Sequence, residues 1–191
     1  MMTSLPNLLT LSRIVVIPLV VATFYVDGAL FHWVACGLFV AAAVTDWFDG
    51  YLARSRNQVS ALGRFLDPIA DKLLVAAVLL MLVAFDRVSP ASVLPALVIL
   101  LREILVSGLR EFLAEIRIGM PVSRLAKWKT GIQMVALPLL LVGDVGPREL
   151  PVRLMGEVCL WAAAVLTMIT GWDYLRSGLR HMRPGASKAS P

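Results

Sequence analysis

Asp46, Asp49, Asp67 and Asp71 gather four of the chain's 13 acidic side chains into one short segment, flanked on both sides by strongly apolar sequence. A carboxylate at bilayer depth costs about 2.5–3.5 kcal/mol on insertion scales, so intramembrane acids are functional-site candidates by default. Four at close quarters repel one another and cannot all stay ionised without cations. Two divalent ions would neutralise the group, and hard cations such as Mg²⁺ choose oxygen ligands of this kind.

The spacing sharpens that reading. Asp46 and Asp49 are i, i+3, which sets both on one face near the end of a helix. Gly50 and Ala53 continue the face and are small enough for a bulky ligand to approach the backbone. Arg54 follows one turn after Gly50, where a phosphate would meet a cation. Gly63, Asp67 and Asp71 recur every fourth residue on the next helix. A short polar connection makes the two helices antiparallel neighbours, so all four carboxylates can converge near the membrane boundary. The pattern suits a pair of metals about 3.5–4 Å apart gripping a diphosphate, able to stabilise both entering and leaving oxygens. Capping a helix or pairing with Arg54, Arg56 or Arg64 is what a single interfacial aspartate usually does, but it does not explain four at these intervals.

The elements that must position this group are membrane helices. The chain has 191 residues, is 59% hydrophobic and has a mean hydropathy of +0.80, too apolar for a soluble globular domain. About 20 apolar residues span a bilayer as a helix. Six spans are predicted, over about Leu8–Val26, Leu30–Trp47 (its helix continuing through Arg54), Asp67–Phe85, Ala91–Leu109 (continuing to Arg117), Lys127–Val142 and Val152–Tyr174. The expected fold is therefore an all-α integral membrane protein of six transmembrane helices. Residues 1–175 form its one membrane domain, and residues 176–191 a basic, disordered tail.

Charge gives the orientation. Of the 18 Lys and Arg residues, all but Arg87, Arg148 and Arg153 belong to the two termini, the connections after the second and fourth spans, and the adjoining helix ends. The positive-inside rule puts both termini and the 46–71 segment at the cytoplasmic face of the cell membrane. Trp47, Trp128, Trp172 and Tyr174 lie near that interface and are read as anchors. Cys36 and Cys159 sit in apolar runs and, with only His32 and His181, make neither a disulfide framework nor a good zinc site. No aromatic-interleaved basic groove for nucleic acid is present in the sequence.

The pattern D46-x2-D49-G50-x2-A53-R54-x8-G63-x3-D67-x3-D71 resembles the motif of the CDP-alcohol phosphatidyltransferase family, with every spacing kept. The resemblance implies that Asp46, Asp49, Asp67 and Asp71 bind two divalent cations, Mg²⁺ or Mn²⁺, with Asp71 also the general base. It places Asp46, Gly50, Ala53 and Gly63 around the cytidine diphosphate of the donor, with Arg54 near the phosphates. The opening P6-N7-L8-L9-T10-L11-S12-R13 is similar to the family's start and implies Asn7, Thr10 and Arg13 at the nucleotide end. Asn7 and Thr10 are also ordinary helix-start residues. A homodimer is implied by the family alone.

The acceptor is indicated by the second half. R102-E-I-L-V-S-G-L-R110-E and S123-R-L-A-K127-W-K129-T130-G resemble the branch of the family that forms phosphatidylglycerol phosphate. That likeness implies CDP-diacylglycerol as donor and glycerol 3-phosphate as acceptor. Arg102, Arg110, Lys127 and Lys129 are then the cations that offset the acceptor's phosphate. Lys127 and Lys129 also fit the positive-inside rule, whereas Arg102 and Arg110 interrupt an apolar pattern; Glu103 and Glu111 are expected to face the interface or steady the arginines. Other readings are another acceptor (inositol phosphate or serine), a UbiA-like prenyltransferase, and an ion-coupled transporter. The absence of a repeat and the placing of the acids towards one face weigh against transport.

Overall fold

The computed structural model describes residues 5–56, 61–115 and 124–182, with side chains over 11–45, 66, 69–113 and 125–176. Six helices follow in order: α1 (Leu5–Thr23), α2 (Ala29–Arg56), α3 (Ala61–Ala84), α4 (Val93–Glu115), α5 (Arg124–Val142) and α6 (Val152–Met182). Single 3₁₀ turns at Pro90–Ser92 and Gly143–Val145 precede α4 and follow α5. Among the described residues there is no strand.

Each expected span has its helix, but the ends differ. α3 starts at Ala61, ahead of the Asp67 limit of the span and early enough to include Gly63, because Ala61, Leu62 and Leu66 are strong helix formers and the apolar span is only the second part of one continuous helix. Asp67 and Asp71 therefore lie inside a helix, where a four-residue interval holds them to one face. α5 likewise begins at Arg124, ahead of Lys127. α6 runs to Met182, past Arg176; residues 183–191 of the expected tail lie outside the described residues.

Three stretches, Pro90–Leu113, Leu125–Val145 and Val152–Arg176, are long and apolar enough to cross a membrane by length and composition, and Leu11–Thr23 and Ala29–Thr45 are shorter apolar stretches. Large apolar side chains cover the outside: Leu101, Ile104 and Leu105 on α4, and Val158, Val165 and Met168 on α6. Such a surface is made for hydrocarbon and not for water, which marks a membrane protein.

Inside, Phe39, Val78, Leu82, Leu137, Leu140 and Leu160 are buried in one cluster shared by α2, α3, α5 and α6, with Val20 of α1 closing it. α5 and α6 pack most extensively against each other. Gly156 permits this, since a Cβ there would lie 2.8 Å from Leu140 Cγ. α4 stands on the outer side of α6 and makes fewer contacts with α3.

The end of the bundle that holds the α1–α2, α3–α4 and α5–α6 turns is closed by polar contacts. Glu157 on α6 accepts from the Ser89 amide (2.8 Å), the Ser89 and Ser92 hydroxyls (2.7 and 2.9 Å) and Arg153 Nε (3.4 Å). These bonds use the carboxylate's acceptor sites and tie the α3–α4 turn to α6. His32 Nδ1 lies 3.1 and 3.2 Å from the carbonyl oxygens of Leu141 and Val142. A carbonyl only accepts, so Nδ1 carries the proton and caps orphan carbonyls of α5. Gly143 then takes φ +53°, the left-handed position that ends a helix readily only with glycine. Arg87 stacks on Phe24 at 4.2 Å from the ring centroid, and its burial lowers its pKa from the ordinary arginine value.

Candidate active site

The opposite end of the bundle carries the start of α3 and α5 and the last turns of α4 and α6. A cavity of about 770 Å³ opens there between α3, α4, α5 and α6. Asp71 and Lys72 enter it from α3, Arg102, Glu103 and Arg110 from α4, Lys127 and Lys129 from α5, and Tyr174 from α6. Among the described residues the lining thus sets five basic side chains against two acidic ones, a balance that favours an anionic ligand.

The cations differ in how they are held. Lys127 and Arg110 are exposed at the mouth. Lys129 is 3% exposed and forms a salt bridge with Glu103. A lysine so deeply placed needs a paired carboxylate to stay charged. The Arg102 guanidinium bonds through Nη2 to Thr170 Oγ1 at 3.1 Å, lies 3.5 Å from Glu103 through Nη1, and sits over the Tyr174 ring at 5.7 Å. Lys72 bonds to the Ser107 hydroxyl, fastening α3 to α4. A second hollow of about 330 Å³ continues from here between Lys72, Ser107, Arg110 and Glu111.

Of the residues that the sequence picks out, the structure brings Asp71, Arg102, Arg110, Lys127 and Lys129 to one cavity. Arg13 is buried within α1, at 2% exposure. The side chains of Asn7, Thr10, Asp46, Asp49, Gly50, Ala53, Arg54, Gly63 and Asp67 lie outside the described residues; their backbones belong to α1, α2 and α3. A covalent limit still applies to the acids: α2 ends at Arg56 and α3 starts at Ala61, so five chain steps keep those ends within about 18 Å. Among the described residues no three His, Cys, Asp or Glu side chains form a metal-sized group. The donor set that would do so is the aspartate quartet, all oxygen, which suits Mg²⁺ or Mn²⁺ and not a soft metal.

Four residues of the site were not singled out as functional in the sequence. Lys72 directly follows Asp71, and as a charge inside an apolar helix it carried a signal of its own. Glu103 was expected to steady the arginines; it pairs first with Lys129. Tyr174 was expected to anchor the interface. Trp128 and Trp172 are exposed as anchors are, but Tyr174 is buried at 7% and turned onto Arg102. Thr170 gave no signal, since a threonine in a membrane helix usually bonds its own backbone.

Residues 3–169 match the family model described as CDP-alcohol phosphatidyltransferase. The chain is similar to the CDP-diacylglycerol–glycerol-3-phosphate 3-phosphatidyltransferase of Rickettsia typhi, 49% identical over 176 residues that cover 92% of this chain and 97% of the relative. Proteins with the same name from Pseudomonas fluorescens (40% identical, covering 97% and 95%) and Cereibacter sphaeroides (39% identical, covering 94% and 97%) are also similar to it.

Proposed function

The chain belongs to the CDP-alcohol phosphatidyltransferase family, and we propose that it transfers the phosphatidyl group of CDP-diacylglycerol to glycerol 3-phosphate, releasing CMP and leaving phosphatidylglycerol phosphate in the membrane. Membership sets aside the prenyltransferase and transporter readings. The relatives' shared name supports this donor and acceptor over nearly the full length of the chain. The observation that carries the acceptor is the cavity that holds Asp71 beside Arg102 and Lys129, cations fixed by Thr170 and Glu103 and so ready for a phosphate.

The chemistry then divides among the chain's own residues. Asp71 accepts the proton of the primary hydroxyl of glycerol 3-phosphate. The freed oxygen attacks the lipid-linked phosphorus, the bond from that phosphorus to the CMP oxygen breaks, and CMP departs with the bonding pair. Arg102, Arg110, Lys127 and Lys129 balance the acceptor's phosphate and hold its hydroxyl towards Asp71. Asn7, Thr10, Arg13, Gly50, Ala53, Arg54 and Gly63 make the nucleotide end. Asp46, Asp49, Asp67 and Asp71 would hold two divalent cations, Mg²⁺ or Mn²⁺, which when bound neutralise the donor diphosphate. The site faces the cytoplasm from the cell membrane, with six spans, both termini inside and two copies of the chain assembled as a homodimer.

The test offers purified protein CDP-diacylglycerol together with glycerol 3-phosphate, inositol phosphate or serine in turn. CMP formed only with glycerol 3-phosphate is the expected result, and it should stop on chelation and return with Mg²⁺ or Mn²⁺. CMP formed with inositol phosphate or serine in its place would reassign the acceptor.

A further inference from the structure

The Arg102 side chain reaches the cavity across the face of α6. Gly171 is where it crosses: a Cβ there would stand 3.1 Å from Arg102 Cγ and 3.6 Å from its Nε. One turn apart on the same face, Thr170 and Tyr174 take the guanidinium from two sides. Thr170 has a single hydroxyl proton, and Oγ1 lies 2.8 Å from the Leu166 carbonyl, to which it donates. Its lone pairs are therefore turned outward to accept Arg102 Nη2 at 3.1 Å. Tyr174, 7% exposed, offers a ring face to the cation. Arg102 side-chain exposure is 11%, so these contacts act away from bulk water, where they are strongest.

We propose that the Thr170-Gly171-Tyr174 face of α6 is a positioning device for the acceptor, setting the Arg102 guanidinium for the phosphate of glycerol 3-phosphate. This rests on Arg102 being an acceptor-binding residue. A long arginine side chain in a cavity has many rotamers, and one held in advance binds a phosphate without losing that freedom at the moment of binding. The residues act through Arg102, so their loss weakens the acceptor and leaves the donor unaffected.

The experiment measures KM for glycerol 3-phosphate and for CDP-diacylglycerol separately, in purified full-length protein, for Arg102→Ala, Tyr174→Leu, Tyr174→Phe, Thr170→Val and Gly171→Val. Tyr174→Leu and Gly171→Val should raise KM for glycerol 3-phosphate about tenfold, with KM for CDP-diacylglycerol within about twofold of native. Thr170→Val should raise it about threefold, and Tyr174→Phe, which keeps the ring, should stay near native. Adding Tyr174→Leu to Arg102→Ala should change KM no further, since the ring then has nothing to position. An unchanged acceptor KM in Arg102→Ala would remove the acceptor role of Arg102 itself. A raised KM in Arg102→Ala, with native values in the α6 variants or with both substrates' KM rising together, would overturn the role of α6 alone. If Gly171→Val does not fold, Thr170→Val against Thr170→Ser decides the matter, because serine restores the acceptor oxygen and should restore the KM.

Discussion

Glu157 at one end of the bundle and Arg102 at the other are both charged groups inside apolar helices, yet they are served differently. Glu157 accepts from Ser89, Ser92 and Arg153, so its oxygens are occupied by the protein's own donors. Arg102 is held by Thr170, Tyr174 and Glu103, but among the described residues its Nε has no hydrogen-bond partner, and it borders a cavity with Lys72, Arg110 and Lys129. The first arrangement satisfies a charge and joins elements; the second collects five cations against Asp71 and Glu103 among the described residues. Buried polar groups are as a rule satisfied, so a cavity whose described lining is rich in cations is the candidate for an anionic ligand. Stability is thus concentrated at the Glu157 end and the candidate site at the Arg102 end. Substitutions at the two ends should therefore fail in different assays.

The largest effect should come from Asp71→Asn. The amide keeps size and shape but cannot take a proton, so CMP release should fall by about 10²–10⁴, the usual worth of a general base. Thermal stability in detergent should stay close to native. Native turnover in this variant would remove Asp71 from the role of base, and collapse of the fold would show that the cavity end is structural after all.

Arg102→Lys comes next. Lysine keeps the charge but loses the planar fork that reaches Thr170 while leaving donors for a phosphate. KM for glycerol 3-phosphate should rise about tenfold, a loss on the scale of one charge-assisted hydrogen bond. Equal loss for both substrates would mean that the cavity does not separate donor from acceptor.

How much of this contrast is legible in the sequence depends on whether a signal is local. The pattern of the aspartate quartet and its small neighbours stands out in the sequence because its residues and the helical period share one short segment, although all of its side chains but that of Asp71 lie outside the described residues; the six helices are legible because bilayer thickness fixes an apolar length. Arg102 and Arg110 stand out because they interrupt an apolar helical pattern, whereas Lys129 is indicated only by the likeness of its segment to the family branch, since the positive-inside rule alone also accounts for it. Thr170 and Tyr174 were not, because their meaning comes from a side chain 68 residues away in sequence for Thr170, and nothing in a threonine or tyrosine at a helix end announces such a partner. Glu157 was missed as a structural centre for the same reason: Ser89 and Ser92 lie 68 and 65 residues from it. α3 begins ahead of the Asp67–Phe85 span and includes Gly63, because hydropathy sees the bilayer-spanning part of a helix and not its polar extension.

At the closed end the expected loss moves from turnover to stability. Glu157→Gln keeps one acceptor oxygen but replaces the other by an amide that cannot accept from Ser89 or Ser92. Hydrogen bonds to a charged group contribute about 1.5–3 kcal/mol each, so the variant should unfold at a measurably lower temperature in detergent. Both KM values should match native. A change in either KM would couple the two ends and break the contrast.

The smallest effect tests whether the closed end is one network or one half-buried acid with exposed company. Arg153 Nη1 reaches Asp144 Oδ2 at 2.9 Å, the shorter of its two carboxylate contacts, yet the side chains are 33% and 73% exposed. An ion pair so open to solvent is worth about 0–1 kcal/mol and weakens as salt is added. Arg153 also keeps Glu157 and the Asp86 carbonyl as partners when Asp144 is lost. Asp144→Asn should therefore leave both the melting temperature and turnover within error of native, at low salt as at high. A drop as large as that of Glu157→Gln would mean that the outer pair orders Arg153 for the inner carboxylate, and that charge at this end is held cooperatively, as it is around Arg102.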